Sequence, residues 1–218
     1  MTILITAGPT REAIDPVRYL TNRSSGKMGY ALAEAAQRRG HRVILVSGPT
    51  TIDVPDGIDF IPIESATDMY QAVEHWIQKA DIAIFAAAVA DYRPAKLADQ
   101  KIKKTGETMT LELVRTPDIL GSARSQFHFQ GTLVGFAAET ENVEANALGK
   151  LERKGCDLVI ANDVSRQDIG FDSSENEIIL VYPDRVVPLP KGSKEHLGHE
   201  LIELFETLAS NAPKLEAK

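Results

Sequence analysis

Six short apolar runs punctuate this chain, at residues 2–6, 43–46, 60–63, 82–86, 133–137 and 158–161. Most are nearly continuous in Ile, Leu, Val and Ala rather than alternating with polar residues. A strand of that kind has no face to give to water, so both faces must be covered. Helical patterns stand between the runs. One starts near Gly26, carries Met28, Leu32, Ala35 and Ala36 on one face, and meets Gly40 where a C-cap belongs. A second, which Thr67 can cap, turns Met69, Val73, Trp76 and Ile77 inward, and a third covers about 143–154. Strands alternating with helices in this way predict an α/β fold with a doubly wound, mostly parallel sheet and right-handed crossovers.

Two regions depart from the pattern. Residues 108–114 alternate Thr, Met, Thr, Leu, Glu, Leu and predict a half-exposed strand within an excursion of about 92–115. Residues 178–182 and 186–189, joined by Pro183-Asp184-Arg185, predict a C-terminal β-hairpin added to the sheet. A last helix places Leu197, Leu201, Leu204, Phe205 and Leu208 on one stripe. The expected organisation is one domain over 1–211 and a disordered tail over 212–218.

Composition removes several function classes. With 24 Lys+Arg against 31 Asp+Glu the net charge is −7, the wrong sign for a general nucleic-acid binder. No apolar run approaches the roughly 18 residues of a membrane span, and the chain enters its first strand without a signal peptide. A cytoplasmic protein is expected, with neither nucleic acid nor membrane as partner. Cys156 is the one cysteine, which excludes intrachain disulfides and thiolate-rich metal sites. His196 and His199 share a helix face but lack a third ligand, so no protein metal site is expected.

Ligands of such sheets bind at the carboxyl ends of the strands, and there the sequence is unusual. Thr6-Ala7-Gly8-Pro9-Thr10-Arg11-Glu12 is either a tight turn or a small-residue loop open to a ligand. Asn22-Arg23-Ser24-Ser25-Gly26-Lys27-Met28-Gly29 precedes the first helix, where Ser24 or Ser25 is a plain cap or part of an anion site. It is no P-loop, since no glycine stands five residues before Gly26 and Met28 replaces the hydroxyl residue. Ala86-Ala87-Ala88-Val89-Ala90-Asp91 either packs closely under a helix or admits a flat ligand, with Asp91 ready to accept from hydroxyls. Lys96, Lys101, Lys103 and Lys104, against Asp99, are a solvated run or a basic flap. Phe136-Ala137-Ala138-Glu139-Thr140 ends another strand. Lys150 and Lys154 share one face of the next helix, which alone reads as an ordinary exposed face.

In this order, together with Asp15-Pro16-Val17-Arg18 and Ala161-Asn162-Asp163-Val164, these segments resemble the phosphopantothenoylcysteine synthetase (phosphopantothenate–cysteine ligase) family over about residues 1–205. The resemblance implies a Rossmann-like domain that joins 4′-phosphopantothenate to L-cysteine in coenzyme A biosynthesis. CTP is the implied co-substrate and magnesium accompanies it. An acyl-cytidylate forms with loss of pyrophosphate, and cysteine then displaces CMP. Nothing in the chain matches the flavin-dependent decarboxylase often fused to this ligase, so no flavin is expected. By the resemblance Asn22, Lys101 and Arg18 are catalytic. Asn22 supports activation, Arg18 orients its loop, and Lys101 matters more afterwards. The nucleotide is implied at Phe85, Ala86, Ala87, Asp91, Lys101, Arg115, Thr116, Pro117, Asp118, Phe136, Lys150 and Lys154. The acyl substrate is implied at Gly8, Asn22, Ser24, Ser25, Gly26, Ala87, Ala88 and Asp91. A homodimer is implied, with the excursion meeting the second subunit.

Two other readings remain at this level. An NAD(P)-dependent oxidoreductase would share the sheet, but no G-x-G-x-x-G is present, and Ser47-Gly48 stands where an acidic residue should close the second strand. A non-catalytic nucleotide-sensing module would keep the pocket without the chemistry, and Asn22 together with Lys101 argues against it.

Overall fold

The computed structural model describes residues 1–104, 106–165 and 173–211, so the tail expected at 212–218 lies outside the described residues. In chain order β1 (Thr2–Ala7) is followed by β2 (Arg11–Asp15), β3 (Arg18–Thr21), α1 (Lys27–Arg38), β4 (Arg42–Ser47) and β5 (Asp59–Pro62). Next come α2 (Ala66–Trp76), a 3-10 turn (Ile77–Lys79), β6 (Ile82–Phe85), β7 (Tyr92–Pro94), β8 (Leu113–Arg115) and α3 (Ile119–Ser125). The remainder is β9 (Thr132–Glu139), α4 (Val143–Lys154), β10 (Leu158–Asp163), β11 (Glu175–Val181), β12 (Val186–Ser193) and α5 (Lys194–Asn211).

Eight strands form one sheet in the order β12-β11-β10-β9-β6-β1-β4-β5. The six from β10 to β5 are mutually parallel, and β11 and β12 add an antiparallel hairpin at one edge. From β1 the chain moves outward to β4 and β5, then returns to place β6 on the other side of β1. That reversal opens a crevice at the carboxyl ends of β1 and β6.

Both faces of the apolar runs are buried, as their continuity requires, except at the run 60–63, which forms the edge strand β5 and leaves Phe60 exposed. Ile3, Ile5, Leu45, Ile84 and Ile160 join one core with Leu32 and Ala36 of α1 and Leu197, Leu201 and Phe205 of α5. Their alternate neighbours Leu4, Ile44, Val46, Ala83 and Val159 join a second core with Met69 and Val73 of α2, Leu120 and Ala123 of α3, and Ala147 and Leu151 of α4. Each such Leu, Ile or Val contributes about 1.5–3 kcal/mol relative to exposure, so neither face can be left to solvent.

Several expectations require correction. The strand expected over 108–114 is confined to β8, because its partner β7 is only three residues long and pairing ends with Ala95 N–H donating to Glu112. The excursion is thus clasped at its base, Tyr92 opposite Arg115, while Met109 and Leu113 stay half-exposed. Ser65, not Thr67, caps α2, closing a capping box with Asp68. Gly26, not Ser24 or Ser25, holds the N-cap of α1 at φ 80°, where a Cβ would meet the Thr50 methyl at 2.7 Å.

The segment after β1, whose start reads as a tight turn or a small-residue loop, continues as the hairpin β2–β3. Two of its polar side chains, Glu12 and Asp15, are buried but satisfied internally. Glu12 accepts from the Ala66 N–H at the N-terminus of α2 (2.8 Å), and Asp15 accepts from the backbone of Val17 and Arg18 (2.9 Å each). Helix α3, which Asp118 caps, was also not expected from the sequence.

Candidate active site

A cavity of about 1040 Å³ opens at the carboxyl edge of the sheet. Its floor is the alanine loop after β6, and hydrogen bonds to β1 decide which backbone atoms that loop can offer. Ala86 N–H donates to Thr6 O (3.1 Å), Ala87 N–H to Thr6 Oγ1 (3.3 Å) and Ala88 N–H to Gly8 O (2.9 Å). All three donors are spent. Among the described residues the carbonyls of Ala86 and Ala87 accept no such bond. At Ala86 and Ala87 the loop therefore offers carbonyl acceptors and no free backbone donor.

Asn22 reaches this loop from the end of β3. Its Nδ2 donates to Ala88 O (3.1 Å) and Val89 O (3.0 Å), which fixes the amide orientation and leaves Oδ1 without a partner among the described residues. Thr21 Oγ1 donates to Thr10 O (2.7 Å), and Ala90 N–H donates to Thr10 Oγ1 (3.0 Å). These bonds bind the hairpin, the alanine loop and the approach to α1 into one wall.

On the opposite wall, Thr116 ties the turn 115–118 to the alanine loop through Oγ1 to Ala90 O (2.5 Å) and N–H to Asp91 O (3.0 Å). Asp118 caps α3 by accepting from Gly121 N–H (3.0 Å) and pairs with Lys154 Nζ. A Cβ at Gly121 would run into the Asp118 carboxylate, so any larger residue there would displace this cap. Burial pushes the Asp118 carboxyl up, but the Lys154 bond and the Gly121 N–H outweigh it and hold it below its ordinary value. Lys150 donates to Phe136 O (2.6 Å), and burial draws its amine below the ordinary lysine range. Neither lysine is the exposed pair that helical spacing alone implies. Cys156, nearby but buried, has its thiol pushed up to about 12 by desolvation and is inert.

The cavity brings together Asn22, Ser24, Ser25, Gly26, Phe85, Ala86, Ala87, Ala88, Asp91, Arg115, Thr116, Pro117, Asp118, Phe136, Lys150 and Lys154. Gly8, Arg18 and Lys101 are not among its walls. Gly8 packs behind it against Gly48. Arg18 holds Asp15 through Nε (3.0 Å) and Nη2 (2.5 Å), and donates to Ile102 O (3.2 Å). The Arg18 guanidinium, with backbone donors including Ile102 N–H (3.1 Å), keeps the Asp15 carboxyl well below the usual carboxylate range. Arg18 thus fastens the hairpin to the excursion rather than entering the cavity. Lys101 lines a separate depression of about 550 Å³ with Arg18, Lys103, Lys104, Glu107 and Met109.

The walls also include residues to which the sequence reading gave no binding role, among them Asn162, Val164, Asn176 and Lys194. Asn162 lies near the end of β10 and Val164 just beyond it, where the polar carboxyl end of the strand is visible in the sequence. Asn176 and Lys194 carried no local signal. Only the antiparallel sense of β11 brings its first residues, and the start of α5, to the same edge.

Against known proteins, residues 1–208 match the model of the family described as DNA/pantothenate metabolism flavoprotein C-terminal domain. The chain is 52% identical over 208 residues to the coenzyme A biosynthesis bifunctional protein CoaBC of Vibrio vulnificus (strain YJ016), covering 94% of this chain and 52% of that one. It is 46% identical over 210 residues to the Escherichia coli (strain K12) protein of the same name, covering 95% and 52%. The chain therefore spans about half the length of these curated relatives. The crystal structure of the C-terminal domain of a CoaBC protein superposes with a TM-score of 0.82 at 42% identity, covering 96% of each chain.

Proposed function

This chain belongs to the DNA/pantothenate metabolism flavoprotein C-terminal domain family, and from that premise we propose that it joins 4′-phosphopantothenate to L-cysteine at the expense of CTP. The observation that carries the reading is the convergence, on one cavity, of the Asn22 loop, the carbonyls of Ala86 and Ala87 and two lysines. In the first step the acyl carboxylate oxygen attacks the α-phosphorus and pyrophosphate leaves. In the second, the cysteine amine attacks the acyl carbon, loses a proton, and CMP departs with the bonding pair.

The residues suit these roles. Oδ1 of Asn22 faces the region where the acyl group would lie and can accept from an N–H or O–H there, while Nδ2 keeps the floor in register. Lys150 and Lys154 supply positive charge for the phosphates, and Lys154 exchanges Asp118 for phosphate when nucleotide enters. The Ala86 and Ala87 carbonyls complement the exocyclic amine of cytosine and repel the oxygen that uracil carries at that position. Magnesium fits as an ion carried by the phosphates. Asp91 and Asp118 are the wall carboxylates available to it, and among the described residues no group of three metal-binding side chains offers a cage. Bound there, it would neutralise phosphate charge.

Homodimer formation is part of the proposal. Val17, Tyr19, Tyr92, Leu97, Met109 and Leu113 are large apolar residues left exposed on the hairpin and the adjoining excursion, a surface that a second copy can cover. Lys101, outside the cavity of its own chain, then acts after activation, from a segment that closes on the site. Among the described residues no helix is long and apolar enough to cross a membrane, in keeping with the cytoplasmic location proposed here. Phosphopantothenate, cysteine, CTP and magnesium together should release pyrophosphate, CMP and the amide in equal amounts. Silence with every nucleoside triphosphate would overturn the reading.

A further inference from the structure

Outside the cavity, one buried carboxylate is bonded beyond what its own turn requires. Asp15 ends β2, and its side chain is closed to solvent. Oδ1 accepts from the N–H groups of Val17 and Arg18 (2.9 Å each), which closes the turn between β2 and β3. Oδ2 accepts from Arg18 Nε (3.0 Å) and Nη2 (2.5 Å) and, 87 residues further on, from the Ile102 N–H (3.1 Å). Arg18 Nη2 donates in turn to Ile102 O (3.2 Å). One ion pair thus takes both backbone polar groups of Ile102. A second tie, Ala98 N–H to Ile14 O (3.1 Å), holds the same limb of the excursion to the hairpin. Beyond Ile102 no described residue up to Leu111 hydrogen-bonds to the rest of the chain. Lys101 is exposed and lies between the two ties.

The turn accounts for Oδ1 but not for Oδ2. We propose that Asp15 is a positioning residue for Lys101, acting through the bonds that it and Arg18 make to Ile102, so that the lysine is in place for the second step. The inference rests on the ligase reading and names what that lysine depends on. A lysine carries its charge on a flexible four-carbon stem, so its aim is no better than the fixation of its backbone. Residues 98–102 lie outside any helix or strand and have no ladder to fix them. A bond from a backbone N–H to a carboxylate is stronger than a neutral one, and here it stands directly beside Lys101. The hairpin that leads to Asn22 and the segment that carries Lys101 therefore keep one relation to each other.

Asp15→Asn tests this, because an amide oxygen can still close the turn while an amide NH2 cannot accept from Ile102 or Arg18. Hydrogen exchange of the whole chain, read on the peptide covering 98–104, should quicken roughly tenfold or more in the variant, while β1 and β6 keep their protection and so report an intact fold. In quenched single turnovers pyrophosphate release should stay within about twofold of wild type, and amide formation after a cysteine chase should slow roughly tenfold or more. Lys101→Gln should slow the same step, and adding Asp15→Asn to it should slow that step by less than about twofold further. Ile102→Pro, which removes the N–H and leaves the hairpin untouched, should reproduce the split between the two steps. Unchanged exchange over 98–104, equal slowing of both steps, or full additivity with Lys101→Gln would overturn the role and leave the ligase reading standing. Wild type that releases no pyrophosphate would overturn both.

Discussion

Thr6→Val tests whether the carbonyls of Ala86 and Ala87 select the base. Thr6 is buried, and its hydroxyl occupies the Ala87 N–H at 3.3 Å. In the wild type, uracil presents an oxygen to carbonyls where cytosine presents an amine. That exchange forfeits a hydrogen bond of about 0.5–1.5 kcal/mol and leaves an acceptor unpaired at about 1–3 kcal/mol. The two together give roughly 2–4 kcal/mol, or about 30- to 1000-fold in kcat/KM for CTP over UTP. Valine keeps the shape but removes the hydroxyl, freeing the Ala87 N–H to donate to uracil. The ratio should then fall by about tenfold or more, chiefly through improved use of UTP. Initial rates of pyrophosphate release with each nucleotide, at matched magnesium and phosphopantothenate, measure it. A wild type that uses CTP and UTP equally would show that uracil meets the floor with its ring N–H instead. A Thr6→Val variant with an unchanged ratio would show that the Ala87 donor does not face the base. Either result refutes the reasoning.

Other expectations follow from particular contacts. Lys101→Gln, outside the cavity, should still release about one pyrophosphate per site and accumulate acyl-cytidylate; mass analysis of quenched single turnovers would reveal it. Lys150→Met keeps the bulk, removes the cation and leaves Phe136 O unpaired, and should raise the KM for CTP about tenfold or more in steady-state assays. Glu206, held by Arg39 and His41, has its carboxyl lowered to about 2. A carboxyl lowered by folding stabilises the native state above its unfolded value near 4.3, and that contribution drains away as the pH falls toward 2. Glu206→Gln should therefore flatten the loss of stability between about pH 4.5 and 2, as read from thermal melts across that range.

Where the sequence was legible, burial on two faces made it so. The six apolar runs located the parallel strands to within a few residues, the exposed edge strand β5 included, and the helix expected over 143–154 is α4. Hairpin β2–β3 was hidden because Glu12 and Asp15 look like loop residues, and only their buried partners, Ala66 N–H and the Val17–Arg18 backbone, explain them. The cavity walls were foreseeable where a polar cluster ends a parallel strand, as at Asp91 and Asn162. They were not foreseeable at Asn176 and Lys194, which start elements and reach the edge only through an antiparallel turn. Arg18 and Lys101 show the converse. Their residue types suit an active site, but the bonds to Asp15 and the Ile102 backbone place them at the excursion.

A single turnover without cysteine addresses the central claim most directly. Enzyme, stoichiometric CTP, magnesium and 4′-phosphopantothenate are mixed, quenched and analysed by mass, and a second portion is chased with cysteine. The account predicts about one pyrophosphate and one acyl-cytidylate per site before the chase, then CMP and the amide in equal amounts after it. Pyrophosphate without an acyl-cytidylate, or an amide formed only when no acyl-cytidylate can be trapped or chased, would contradict it.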